Sequence, residues 1–531
     1  MPSGSTRRHF LREPERGHGG LFRAARKPEC ERGPGGYSRD ALALAGLALA
    51  VVSIGGGCNF GESGIAPPAN RIFLPAGVAA DPGGGFLYVV NSNSDLRYNA
   101  GTVVAVDLSR IALIPASPPL CSKTRFSRTE PVADDYCCTD VNDSKIVNCN
   151  EPQFIQSNAT ISIGSFGGAV QLSSDESNIR RLFVVVRAEP SVTYADVTVA
   201  NDPQGAATVS MRCQRPQSET WTQPPLASCD DNWKVRRPGG ATPGALVLPE
   251  EPHSLSLDPK LGALFVGHLT VAANNQIQGG GVSSIDICDP QNVHFAGHTD
   301  AAFIPTSLSQ SVASLSPGDP ANTSTVVYAG ARLSAAVSGL VLQSAQEDCA
   351  PGSPPDRDLT LVAADTFYSS AFLPHGADIR GILFSEDGSK AWVLHKNDAD
   401  ISTSPAALVA IDRRRTRWNG EPANTPIDFV QVCGGPTEMQ MHDAGAGRGK
   451  RIFITCYDTG QIYVVDPLRM TVTAIVDAGA GPTSLVFSPD ATKAYLASFF
   501  NSHISVIDFA PGSRTENHVI LRMGLPHGYG Q

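Results

Sequence analysis

The chain is poor in charge, in methionine and in tryptophan. Only 17% of its 531 residues are Asp, Glu, Lys or Arg, and it has 6 Met and 4 Trp. With 51 Gly and 40 Pro there is little room for long amphipathic helices, and many short strands joined by turns are expected. The net charge is -10, and the first 40 residues carry a basic stretch. A nucleic-acid partner is therefore not expected, because phosphate binding needs grouped Lys and Arg. The chain has no CxxC or CxxCH spacing, no Gly-x-Ser-x-Gly elbow and no phosphate loop. These are the sequence marks of zinc, attached haem, serine-hydrolase and nucleotide sites. The sequence accordingly predicts no cofactor and no metal.

What is present begins with an address. An apolar run of 14 residues, ALALAGLALAVVSI at 41–54, is too short to span a bilayer comfortably and matches a signal-peptide core. It is followed by Gly55, Gly56, Gly57 and Cys58, which resembles a bacterial lipobox with Cys58 as the lipidated first residue of the mature protein. Gly55 stands where lipoboxes usually carry Leu. Upstream, TRRHFLR at 6–12 resembles a twin-arginine export motif, although it lies about 28 residues from the apolar core. A chance match or a start codon placed too far upstream are the alternatives. The sequence thus divides into an export segment at 1–57, a lipidated linker at 58–70 and a body at 71–531.

Within the body one pattern recurs. A small-hydrophobic-aromatic strand is centred on Tyr88, Phe183, Phe265, Tyr328, Trp392, Phe453 and Tyr495, seven copies in all. After six of them comes a strand ending in an acid: Asp107, Asp196, Asp286, Asp412, Asp466 and Asp508. The fourth copy ends at Gln343 instead. Before the aromatic strand lies a third element, led by Pro75, Pro252 or Pro482 and running into a tight turn such as SEDG at 385–388, where Asp and Gly favour the turn dihedrals. The spacing between successive aromatics falls from 95 to 42 residues along the chain, so about 42 residues make the bare unit and the excess forms loops. A single antiparallel sheet of this size cannot bury both faces. The copies must stack around an axis until a ring closes, through either residues 71–74 or the terminal strand at 518–521. The fold class predicted is all-β, a seven-bladed β-propeller of four-stranded antiparallel blades with disulfide-stapled loop insertions.

The last two copies resemble the YVTN-type β-propeller repeat, with its Pro-led strand, Pro-Asp turn, Tyr-Val-x-Asn strand and Val-Ile-Asp strand. The resemblance covers residue 71 to the C-terminus. At the position of the repeat's Asn stand His268, His395, Cys456 and Ser498. Two histidines at one register hint at a metal or haem site; capping of the strand end by a hydrogen bond is the plainer reading.

Insertions are expected at about 109–153 and 197–248. The first carries Cys121, Cys137, Cys138 and Cys149, the second Cys213 and Cys229. Disulfides that staple polar loops are preferred to zinc. Expected pairs are Cys213 with Cys229, Cys288 with Cys349 and Cys433 with Cys456, with two bridges among the other four. The stretch DVNDS at 140–144 lacks the Gly and closing Glu of an EF-hand and reads as a solvated turn.

Matching registers place His253, Arg380, Thr437, Glu438 and Ser484 at the mouth of a central funnel. There they either meet an anionic ligand or an acid-base reaction, or simply line a wet channel. No catalytic residue is singled out, and the scarcity of candidates favours binding over catalysis. The function expected is a binding or scaffolding module for a protein or glycan at a Gram-negative envelope, held to the outer membrane or cell surface through Cys58, with a periplasm-facing orientation also open. The alternative is a propeller enzyme, lactonase-like or a quinone- or haem-dependent oxidoreductase, with its site in the funnel.

Overall fold

A computed structural model describes residues 64–524 apart from 122–132, 174–178, 203–204, 216–223, 237–247, 270, 274–275, 279–280, 300–308, 316–324, 333, 344–348, 350–356, 370–377, 397–405, 417–422 and 446. The export segment with Arg7 and Arg8, the lipidation candidate Cys58 and the start of the linker lie outside the described residues. Seven antiparallel blades follow one another along the chain, each with four core strands. Their inner strands are Pro75–Ala80, Gly167–Leu172, Pro252–Asp258, Ser309–Leu315, Asp378–Phe384, Pro436–Asp443 and Pro482–Phe487. Each inner strand touches the next, and the seventh touches the first. The fold is a closed seven-bladed β-propeller.

The alternation of each second strand explains the stacking. In Phe86–Asn91, Phe86, Tyr88 and Val90 pack toward blade 2, whereas Leu87 and Val89 pack toward blade 7. Successive side chains of a strand point to opposite faces, so one fully buried strand serves two interfaces. The described core accordingly falls into seven clusters, one at each blade-to-blade contact. The seven aromatics of the repeat occupy equivalent places in them. Each, from Tyr88 to Tyr495, packs into the cluster shared with the following blade.

Five of the six terminal acids are turn formers, whereas Asp196 lies within the strand Ser191–Asn201 and pairs with Arg181. Asp107, Asp286, Asp412, Asp466 and Asp508 each accept the backbone N–H two residues on, an Asx-turn that starts the chain toward the outer strand. The fourth blade has its third strand at Ala336–Leu342 and four strands like the rest, although Gln343 breaks the acid pattern.

The register of the repeat's Asn is a latch between the end of the second strand and the segment entering the inner strand of the same blade. Asn91 accepts from Phe73 N–H and donates to the Arg71 carbonyl. His268 bonds the Glu250 carbonyl through Nδ1 and Ser283 Oγ through Nε2. Cys456 makes the same tie covalently, by its disulfide to Cys433. His395 and Ser498 are buried there with side-chain atoms that have no hydrogen-bond partner. Among the described residues no cluster of three or more His, Cys, Asp or Glu side chains is placed to hold a metal.

All ten described cysteines are paired: Cys213–Cys229, Cys288–Cys349, Cys433–Cys456, Cys121–Cys138 and Cys137–Cys149. The stretch read as the second insertion holds the end of the third strand of blade 2, its outer strand Ala207–Arg212, and the short strand Lys234–Arg236, which pairs back on Ser191–Asn201. The first insertion, between Asp107 and Ile161, leaves blade 1. Its strands Cys137–Thr139 and Val147–Cys149 extend blade 7, with Val147–Cys149 running parallel to the terminal strand His518–Met523. The turn at 140–144 pins this crossing. Asp140 accepts the N–H groups of Asn142 and Asp143 and a bond from Asn148, and pairs with Arg522 of blade 7 at 3.2 Å. Burial works to raise the Asp140 carboxyl, but these bonds and the guanidinium outweigh it and hold it below its ordinary value. Cys137 and Cys149 join the apolar cluster of blades 7 and 1. The ring is thus clasped from outside by a stapled ribbon.

Tyr495 sits in this closing cluster, 4% exposed. Tyr495→Ala is expected to lower the free energy of unfolding by about 3–5 kcal/mol, the usual cost of truncating a buried aromatic. Removing both Cys137 and Cys149 as Ser should cost a further 2–4 kcal/mol or so. Urea denaturation followed by tryptophan fluorescence checks both.

Candidate functional site

Near the start of every inner strand the pairing with the second strand slips, so that a β-bulge occurs in all seven blades. Bulges re-aim side chains. The unpaired positions are Ala76, Gly168 with Ala169, His253, Gln310, Arg380, Thr437, and Thr483 with Ser484. They form one level of the ring. Inner strands come close here, since a Cβ at Gly77 would lie 2.5 Å from the Gly168 carbonyl oxygen.

These strands enclose a channel of about 1070 Å³ lined from all seven blades. His253, Arg380, Thr437, Glu438 and Ser484 all line it, so the structure brings the five sequence candidates into one cavity. They are not equivalent within it. The Thr437 hydroxyl lies 2.9 Å from Thr455 Oγ1 and donates to the Pro482 carbonyl at 3.2 Å, which ties blade 6 to blade 7. Ser484 accepts the Val78 N–H and also bonds Glu438, tying blade 7 to blades 1 and 6. Glu438 accepts from Gln440 Nε2 at 2.8 Å. Burial raises its carboxyl above the ordinary value, against the lowering effect of its bonds from Gln440, Ser484 and the Leu485 N–H.

The other side of the channel is cationic. Arg380 pairs with Asp378 at 2.5 Å. Half-buried His253 has its imidazole pushed down to about 3, first by desolvation and then by Arg187, Arg380 and Arg332. His253 is therefore neutral at pH 7, with three guanidinium groups acting on it. Arg187 and Arg332 were not found from sequence. They sit in turns between second and third strands, after Ile179–Val186 and Val326–Ala331, outside any repeating register that would have marked them.

No family model matches the chain and no curated protein sequence matches it. Among solved structures it is similar to a chain of hydrazine synthase from Kuenenia stuttgartiensis, at 13% identity over 87% of this chain and 100% of that one, with a TM-score of 0.47. A candidate 6-phosphogluconolactonase from Bacteroides uniformis is 10% identical over 79% of this chain and 88% of that one, with a TM-score of 0.40. These likenesses bring neither activity nor ligand to this chain. Its class, a seven-bladed β-propeller, rests on its own strand pairing.

Burying neutral histidines makes the protein sensitive to acid. The fully buried His268 is pushed down to about 4, chiefly by desolvation. The unfolded chain takes up its proton below about pH 6.5 while the folded state does not until about pH 4. Stability from this group is thus lost as pH falls through that window. In His268→Asn, where an amide can serve the latch as Asn91 does, the fall in melting temperature between pH 6.5 and 4 should be shallower than in the parent. Calorimetric melts across the pH range check it.

Proposed function

We propose that this chain is an exported, lipid-anchored propeller of a Gram-negative cell envelope, related to YVTN-repeat proteins, that binds a protein partner through its first insertion. The observation that carries the reading is the ribbon across blades 1 and 7. It is held by two disulfides and by strand pairing, yet Leu113, Leu120 and Val141 stand 77%, 70% and 45% exposed upon it. Leu120 bridges to Thr139, two residues before Val141, which keeps these two side chains on one small area. A rigid support with apolar groups facing water favours a protein over a glycan, because ordering costs have already been met. Five disulfides fit an oxidising compartment, and the lipobox-like Cys58 supplies the anchor.

A second reading, an enzyme, is favoured by one observation. His253 held neutral and Glu438 held toward its protonated form, both lining one channel, are the kinds of group an acid-base reaction uses. They stand on blades 3 and 6, and the bonds of Glu438 run to Gln440, Ser484 and Leu485. Lactone hydrolysis that vanishes in Glu438→Gln would replace the first reading with this one.

Two measurements test the first reading. Cys58→Ala should abolish acyl labelling and move the protein from the membrane fraction to the soluble periplasm. In cross-linking on intact cells, the parent should capture a defined envelope protein. The pair Leu120→Ser and Val141→Ser should lose that product with an unchanged melting temperature. Equal capture by both would overturn the reading.

A further inference from the structure

His253 and the groups that act on it come from four consecutive blades. Arg187 belongs to blade 2, His253 to blade 3, Arg332 to blade 4 and Arg380 to blade 5. Arg187 is paired with Glu251 through Nε at 2.8 Å, and Arg380 with Asp378. Each pair fixes the direction of a guanidinium that still has other N–H donors to offer. Three cations against two carboxylates leave this arc positive. Packing alone would rarely gather so many guanidinium groups, because like charges repel.

The opposite rim is of another kind. Turns after the second strands of blades 6 and 7 bring Tyr457, Phe499 and Phe500 together, with ring centroids of Tyr457 and Phe500 5.0 Å apart and those of Phe499 and Phe500 5.9 Å apart. Phe499 lines the same channel as His253 and Arg380, and Phe500 is 57% exposed. These turns lie at the end of the ring where the inner strands begin, which is also the end of the bulges. An exposed aromatic shelf beside a wet, cationic cavity is costly to maintain unless a ligand covers it.

We propose that this mouth of the channel binds a small carboxylate carried on a ring, with Arg380 and His253 taking the carboxylate and the Phe499–Phe500 shelf taking the flat face of the ring. Guanidinium forks match a carboxylate with two parallel hydrogen bonds, and a neutral imidazole adds a donor without adding charge. A sugar acid and an aromatic acid share this chemistry. The site is independent of the ribbon surface proposed above, so either can fail alone.

The test is calorimetric titration of the purified full chain with D-glucuronate, benzoate, D-glucose and acetate. Saturable binding of glucuronate or benzoate is expected, at least tenfold tighter than acetate and with no binding of glucose; which ring binds names the source. Arg380→Gln and Phe499→Ala should each weaken it at least tenfold. Arg187→Gln and His253→Asn read the site from other blades should Arg380→Gln fail to fold. No binding of either ring acid, equal binding of glucose or acetate, or full affinity in folded Arg187→Gln and His253→Asn variants would overturn the proposal.

Discussion

Closure of the ring between the last blade and the first is the interaction on which the rest of this structure depends. Each blade buries its two faces only against neighbours, so an open ring would leave two apolar faces in water. The seam is made by Ile72, Val78, Leu87 and Val104 from one side and Tyr495, Ala497, Ile504 and Val506 from the other. It is reinforced at the inner edge, where Thr483 donates to the Pro75 carbonyl at 3.2 Å and Val78 N–H meets Ser484. At the outer edge the stapled ribbon from blade 1 adds strands to blade 7. Blade 7 itself is built from 482–523 alone, so the clasp does the work that an exchanged strand would otherwise do.

Closure also creates the channel. Seven inner strands carry bulges at one level, and the same backbone device yields structure in some blades and a prospective site in others. In blades 6 and 7 the inward hydroxyls of Thr437 and Ser484 are spent on holding neighbours together. In blades 3 and 5 the bulges present His253 and Arg380. A rigid ring has little freedom to rearrange, so groups placed this way are set by the fold before any ligand arrives.

The latch register shows how one structural task can be met by different chemistry. Asn91, His268 and Cys456 all fasten the end of a second strand to the segment entering the inner strand. Histidine at such a position signals a buried cap as readily as a ligand. The repeated aromatics, most of the strand-ending acids and the Pro-led strands were legible because each serves a local need that recurs along the chain. Arg187 and Arg332 were not, because they lie in turns whose length and composition differ between blades.

The sequence by itself determined the number of blades, their alternating faces, the turn acids and three of the five disulfide pairs, since period-two patterning and turn chemistry act over a few residues and repeat. Only the tertiary structure decided where the first insertion goes, how Cys121, Cys137, Cys138 and Cys149 divide into pairs, and which side of the channel is cationic. Those outcomes depend on contacts between residues far apart in the chain, such as Asp140 with Arg522 and Arg187 with Glu251. No local pattern encodes them, because they exist only once the ring has closed.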